Sequence, residues 1–252
     1  MCCAPENSEK IPQPRVPSAS TVLCSAALHW RLSRDQIARL EQFVDLFHAW
    51  NSRFGFSAYT TPDDITLKAV IPSLALGHLV PPSDRTVDLG TGPGIPGIPL
   101  KILHSDLKLL CIEASARMVE FLKALRLALG LEQLEILEGR AEEVAHDGRL
   151  RQAFDSVIAR SFAPLPVLIE ISSAFARIGG LVTVQCSGRV TSAARSHDLS
   201  LMVGSRFLRV GAIAPPQESV DPLYFIQFVQ IVEPSDEYPR SWKQMKMRPL
   251  GT

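Results

Sequence analysis

The sequence predicts a doubly wound α/β fold: a mostly parallel seven-stranded sheet with an antiparallel edge, preceded by a small helical cap. Three observations carry this. From Arg85 onward, short apolar runs alternate with amphipathic helical segments, the pattern of a parallel sheet covered on both faces. The first of these runs ends in closely spaced glycines, Gly90, Gly92, Gly94 and Gly97. The last two strand-like runs, Phe207–Ile213 and Tyr224–Val232, have no helix between them, which implies an antiparallel pair at one edge.

Each element follows from local chemistry. Residues 1–31 place Pro5, Pro12, Pro14 and Pro17 among polar residues and read as a flexible extension. Residues 32–82 read as a helical cap. Ser33 and Gln36 form a capping box, and Ile37, Leu40, Val44 and Phe47 follow at helical spacing to an expected end near Trp50-Asn51. A second helical stretch runs from Asp64 to Leu79, interrupted at Pro72 and stopped by Pro81-Pro82. The main α/β domain spans 83–234. Its strands are expected at Thr86–Leu89, Leu107–Glu113, Leu134–Leu137, Ser156–Ala159 and Leu181–Gln185, before the terminal pair. Helices are expected near Pro99–Leu103, from a Ser115 cap to Leu129 with Gly130 as the stop, and over Leu165–Ile178 ahead of Gly179-Gly180. Residues 235–252 carry Arg240, Lys243, Lys246 and Arg248 and read as a basic tail, either an RNA-contacting cluster or a solvated, disordered segment.

Composition narrows the classes. Lys plus Arg equals Asp plus Glu at 26 each, so any nucleic-acid contact has to come from local clusters. Besides the tail, Arg31, Arg34, Arg39 and Arg53 are candidates. The five cysteines, Cys2, Cys3, Cys24, Cys111 and Cys186, have no framework spacing. Cys111 and Cys186 sit in strand-like runs and are expected in the core. No apolar run approaches the ~20 residues of a membrane span. The expectation is a cytoplasmic protein, and the six histidines show no metal-ligand spacing.

The informative stretch is Asp88-Leu89-Gly90-Thr91-Gly92-Pro93-Gly94-Ile95-Pro96-Gly97. Glycines after a strand let a ligand lie against bare backbone, at the end of the sheet where such folds bind ligands. Gly92, Gly94 and Gly97 fit the dinucleotide pattern of an oxidoreductase. Gly90, Gly92 and Gly94 behind Asp88 fit the S-adenosyl-L-methionine pattern. Asp88 would repel a diphosphate and welcome the cationic amino-acid end of S-adenosyl-L-methionine, while Pro93 and Pro96 lack the amides a diphosphate uses. Glu113, at the end of the second strand, suits the two ribose hydroxyls, and Ala141-Glu142 suits the adenine edge. Arg160 ends the fourth strand, where a guanidinium can hold cofactor, base or phosphate; an ion pair with Asp88 or Asp155 is its structural alternative.

These motifs resemble the bacterial 16S rRNA guanine-N7 methyltransferases, also called glucose-inhibited division protein B, over roughly Leu32 to Leu250. Val87 through Leu100 carries the resemblance most specifically, through its prolines. Trp50-Asn51, Arg117 through Leu122, Gly139 through Glu143, Phe154-Asp155, Arg160 through Ala163, and Tyr238-Pro239-Arg240 with Pro249-Leu250 support it. It implies a class I S-adenosyl-L-methionine methyltransferase fold and cofactor contacts at Gly90, Ile95, Ala141-Glu142 and Arg160. It also implies methyl transfer to N7 of a guanine in 16S rRNA of the small ribosomal subunit. The chain departs from the family where Lys68-Ala69 replaces Arg-His, Pro72-Ser73 replaces Asp-Ser, and Ser187-Gly188 replaces Lys-Gly. Two alternatives stay open here: a non-catalytic cofactor-binding ribosome-assembly protein, and a dinucleotide-dependent oxidoreductase.

Overall fold

The computed structural model describes residues 23, 27–82, 84–160, 162–186, 198–214 and 222–251. Most of the expected extension, with Cys2, Cys3 and Cys24, and the Ser187-Gly188 pair lie outside the described residues. The first long helix, α1 (Arg34–Phe54), starts at the expected capping box: Gln36 N donates to Ser33 Oγ (3.2 Å) and Ser33 N to Gln36 Oε1 (2.8 Å). It runs past Trp50-Asn51, and its stop is Gly55, whose left-handed backbone (φ 61°) lets its N–H reach the Asn51 carbonyl at 2.8 Å.

The second stretch is a composite. Thr61 caps α2 (Pro62–Ile65), a π turn follows over Thr66–Val70, and α3 (Ile71–Leu76) passes into a 3₁₀ turn, Gly77–Leu79. Pro72 does not break the chain direction. It has no amide to offer the carbonyl of Lys68 four residues back, and the π turn widens the helix at that point.

The sheet order is β3-β2-β1-β4-β5-β7-β6. The strands are β1 (Arg85–Leu89), β2 (Lys108–Glu113), β3 (Leu134–Glu138), β4 (Phe154–Arg160), β5 (Ala176–Cys186), β6 (Ser205–Ile213) and β7 (Leu223–Gln230). The first five pair in parallel, β7 pairs antiparallel with β5 and β6 antiparallel with β7, so the last strand inserts between its neighbours. Strand order reverses at β1, between β2 and β4. Alternate strand residues enter opposite cores. Leu109, Cys111 and Ile158 face α1, α3, α4 (Gly97–Leu103) and α5 (Ala116–Ala128), whereas Leu110, Ile112, Val157 and Ala159 face α7 (Leu165–Phe175). The short helix α6 (Ala141–Val144) follows β3.

Four local expectations need correction. The helix expected over Leu165–Ile178 ends at Phe175, and Gly179-Gly180 lie inside β5, where a Cβ on Gly180 would sit 2.8 Å from the Phe154 carbonyl. Ser115 occupies the cap position of α5, but its side chain makes no capping bond. Cys111 is buried as expected, whereas Cys186 is only partly buried. The basic tail is not a solvated strand of chain. It contains a capped helix, α8 (Trp242–Met247), and buries Met245 and Leu250 in the sheet's second core. Among the described residues, no helix is long and apolar enough to cross a membrane.

Candidate active site

The carboxyl ends of β1, β2, β3 and β4 converge on a cavity of ≈ 250 Å³ lined by Gly90, Ile112, Glu113, Ala114, Gly139, Arg140, Ala141, Glu142, Phe162 and Trp242. It stands beside the reversal in strand order, where open α/β sheets bind ligands. A larger cavity, ≈ 470 Å³, lies between the start of α1, the end of α4 and Gly130–Glu132. No strand's carboxyl end opens into it, and the buried amine on its wall, Lys101 Nζ, already donates to Ser105 O (2.5 Å) and Leu107 O (2.6 Å).

The glycine loop after β1 is built around Asp88. This residue is 0 % exposed, beneath the loop rather than on its surface. Its Oδ2 accepts from Thr91 Oγ1 (2.6 Å) and Gly97 N (2.9 Å). Burial pushes its carboxyl up to about 7, against those two hydrogen bonds and the nearby Arg160 charge, which favour the ionised form. Asp88 Oδ1 is buried without a protein partner.

The glycines divide by role. A Cβ on Gly97 would stand 2.7 Å from Asp88 Oδ2, and one on Gly94 would collide with Ile98. Both positions serve packing inside the loop. Gly90 (φ 61°) lies flat against Phe162, with 2.8 Å from a hypothetical Cβ to the ring. Only Gly92 (φ 56°), among these four, faces open space. Its amide donates to Glu113 Oε2 at 2.8 Å, and Glu113 Oε1 accepts from Ser115 N at 2.8 Å, so one carboxylate ties the loop to the end of β2. Ile95 is placed elsewhere: it is 6 % exposed and packs into the core beneath the helical cap.

On the β3 side, Ala141 and Glu142 are buried at the start of α6. The Glu143 and Val144 amides both donate to Arg140 O (3.0 Å), so the amides that precede the intrahelical bonds are those of Ala141 and Glu142. Glu142 Oε1 accepts from Arg140 Nε at 2.6 Å, and the Arg140 guanidinium lies 5.2 Å from the centre of the Trp242 ring.

Arg160 ends β4 without either ion pair that the sequence allowed. Its Nη2 donates to Tyr59 Oη (2.8 Å) and to the Lys68 carbonyl (3.0 Å), the carbonyl that Pro72 leaves unused. Asp155 instead pairs with Arg177 (2.6 Å). Arg160 Nη1 is buried without a protein partner. Tyr59 is held from behind: Asn51 Nδ2 donates to Ser57 O (3.1 Å) and Tyr59 O (2.9 Å), and Asn51 Oδ1 accepts from Ser57 N (2.8 Å). Thus Gly90, Glu113, Ala141 and Glu142 meet on one cavity, with Gly92 tied to Glu113 and Asp88 beneath the glycine loop, whereas Arg160 is held outside its lining by Tyr59 and the Lys68 carbonyl.

Sequence reasoning assigned no site role to Tyr59, Phe162 or Trp242. For Trp242 a signal existed, the Ser241…Gln244 capping box. For Phe162 the run Arg160 through Ala163 marked the place without a role, and for Tyr59 nothing did.

Comparison with known proteins agrees with this architecture. Residues 36–199 match the family described as rRNA small subunit methyltransferase G. The "Ribosomal RNA small subunit methyltransferase G" of Moorella thermoacetica is 34 % identical over 87 % of this chain and 92 % of its own length. That of Deinococcus deserti is 31 % identical over 93 % and 97 %. A SAM-dependent methyltransferase from Aquifex aeolicus superposes with a TM-score of 0.51 over 66 % of this chain and 93 % of its own, at 16 % identity, which bears on the fold alone. Strand order, glycine loop and near full-length similarity converge: this chain belongs to the rRNA small subunit methyltransferase G family.

Proposed function

We propose that this protein transfers the methyl group of S-adenosyl-L-methionine to N7 of a guanine in 16S rRNA of the small ribosomal subunit, acting in the cytoplasm. The observation that carries the reading is the meeting of four strand ends on one cavity beside the glycine loop. The residues present fit this cofactor. Glu113 offers a carboxylate to ribose hydroxyls, the first turn of α6 offers amides to the adenine edge, and Gly92 leaves open backbone for the chain beyond. Asp88 Oδ1 and Arg160 Nη1, at the ends of adjacent strands, supply a buried acceptor and a buried donor. A diphosphate fits worse, because Asp88 lies under the loop and Pro93 and Pro96 withhold amides.

When bound, S-adenosyl-L-methionine supplies an electrophilic methyl group on a sulfonium. Guanine N7 carries a lone pair and no proton, so the protein has no proton to remove. Its task is placement, which can take ~7–11 kcal/mol off the barrier. Asp88 works through the loop, holding Thr91 and Gly97. Arg160, fixed by Tyr59 and the Lys68 carbonyl, holds the edge of the site that the incoming base approaches. A guanidinium there favours electron-rich guanine edges and phosphates.

The test uses small subunits from cells lacking this protein, incubated with it and labelled S-adenosyl-L-methionine. Label should enter 16S rRNA, and the cationic 7-methylguanine should permit strand scission after reduction and mild base. Transfer only to a protein or small molecule would overturn the substrate. Tight cofactor binding without transfer to any acceptor would favour a non-catalytic assembly role.

A further inference from the structure

Nine of the ten residues around the cofactor cavity come from the ends of β1, β2, β3 and β4 or the segments that directly follow them, the start of α6 included. Trp242 does not. It arrives from beyond the last strand, as the first residue of α8. The segment that delivers it is anchored at each step. Arg151 donates to Pro234 O (3.0 Å), Ser235 O (3.1 Å) and Tyr238 O (2.7 Å), and the His146 ring meets Pro239 O at 2.9 Å. Arg240 forms a forked pair with Glu170 on α7, Nε to Oε1 at 2.9 Å and Nη2 to Oε2 at 2.6 Å. The Arg240 amide adds a third bond to Glu170 Oε1 at 2.8 Å, and the Glu170 side chain is 1 % exposed. Beyond Trp242, Met245 and Leu250 are buried. The indole is therefore held against the cavity rather than resting there.

On that reading of the cavity, we propose that Trp242 is an adenine-contact residue, and that the C-terminal strap 234–250 is a structural part of the cofactor site. The position decides which half of the cofactor it meets. Trp242 shares its wall with Gly139 through Glu142, the β3 side where a purine edge would find the α6 amides, and stands apart from Asp88 and Arg160. A half-buried indole there presents a planar apolar surface to a planar base, and base–aromatic stacking is insensitive to exact register. Arg140 over the indole, itself tied to buried Glu142, keeps the ring oriented. Because the strap delivers the indole, cofactor affinity and strap docking are linked: each stabilises the other by the same factor.

The full-length protein supplies the test. S-adenosylhomocysteine and 5′-methylthioadenosine are titrated by calorimetry against wild type, Trp242→Ala and Trp242→Phe. Trp242→Ala should lose roughly tenfold in affinity for both ligands, and Trp242→Phe should recover most of it. Intrinsic fluorescence is a second readout. Trp30 and Trp50 pack in the opposite core, so a ligand-induced change in wild type should vanish in Trp242→Phe. Arg240→Ala, which touches nothing in the cavity, should also weaken both ligands, and strap amides should exchange more slowly when ligand is bound. Wild type that binds neither ligand would remove the reading of the cavity itself. Wild-type binding with unchanged affinity in a folded Trp242→Ala would overturn the role of Trp242 alone. A loss confined to S-adenosylhomocysteine would place the indole at the amino-acid end and overturn the adenine assignment.

Discussion

At the residue scale, the loop's chemistry rests on a carboxyl that burial disfavours as an anion. An aspartate raised from 3.8 to about 7 binds more protons in the folded than in the unfolded chain between those values. Its contribution to stability is therefore fully present below pH 3.8 and is lost as pH rises through about 7. Asp88→Asn keeps an acceptor for Gly97 but cannot titrate. Stability of wild type relative to this variant should fall by on the order of 4 kcal/mol from pH 4 to pH 7 and then level, read from denaturant unfolding. A constant difference would mean that Asp88 ionises normally. The glycines make a second prediction. Gly92→Val should cost about 1–2 kcal/mol of backbone strain and at least tenfold in S-adenosylhomocysteine affinity. Gly90→Val should cost markedly more stability, because Phe162 already occupies the space. Equal stability losses at the two positions would show that Phe162 yields.

At the element scale, the second helical stretch is a device for Arg160. Pro72 leaves the Lys68 carbonyl without a helical amide, the π turn widens the backbone, and the guanidinium takes the vacant acceptor. Restoring an amide by Pro72→Ala creates a competitor for that oxygen. Methyl transfer should then slow about tenfold while affinity for S-adenosylhomocysteine stays within twofold, a split between turnover and binding seen by steady-state rates beside calorimetry. An unchanged rate would show that Arg160 does not depend on this carbonyl. The opposite wall of Arg160 is set by α1, whose Asn51 clamps the turn carrying Tyr59. The helical cap thus reaches the end of β4 through two hydrogen bonds from one guanidinium.

At the scale of the whole molecule, the C-terminal segment closes the structure. Arg240→Ala leaves the buried Glu170 carboxylate without its guanidinium, with only the backbone amide of residue 240 still donating to it, which should cost about 3 kcal/mol in denaturant unfolding. The paired change Glu170→Leu with Arg240→Met should recover most of that loss, since it buries no lone charge; an equal loss would point to lost backbone bonding at Arg240 instead. This pairing also revises the RNA candidates. Arg240 is engaged, whereas Lys243, Lys246 and Arg248 are exposed. Neutralising those three should flatten the fall of activity on ribosomal particles with rising salt, by about 0.7–0.9 in log–log slope for each phosphate they had neutralised. An unaltered slope would move RNA binding to the N-terminal arginines, of which Arg39 is already paired with Asp35.

The sequence by itself determined the α/β alternation, the glycine loop, Glu113 and the antiparallel edge, because each rests on local periodicity or on a short run of residues with its own backbone demands. Helix ends were legible where a cap or a left-handed glycine marked them, as at Ser33 and Gly130, and misread at Gly179-Gly180, where the glycines serve close strand packing. Tertiary structure alone decided the partners. Whether Arg160 meets an acid or a tyrosine and whether the tail is solvated or docked depend on residues 70 to 101 positions apart in the chain. No local pattern encodes such pairings. They follow from which surfaces the strand order brings together, and that order is chosen by burying both faces of the sheet at once.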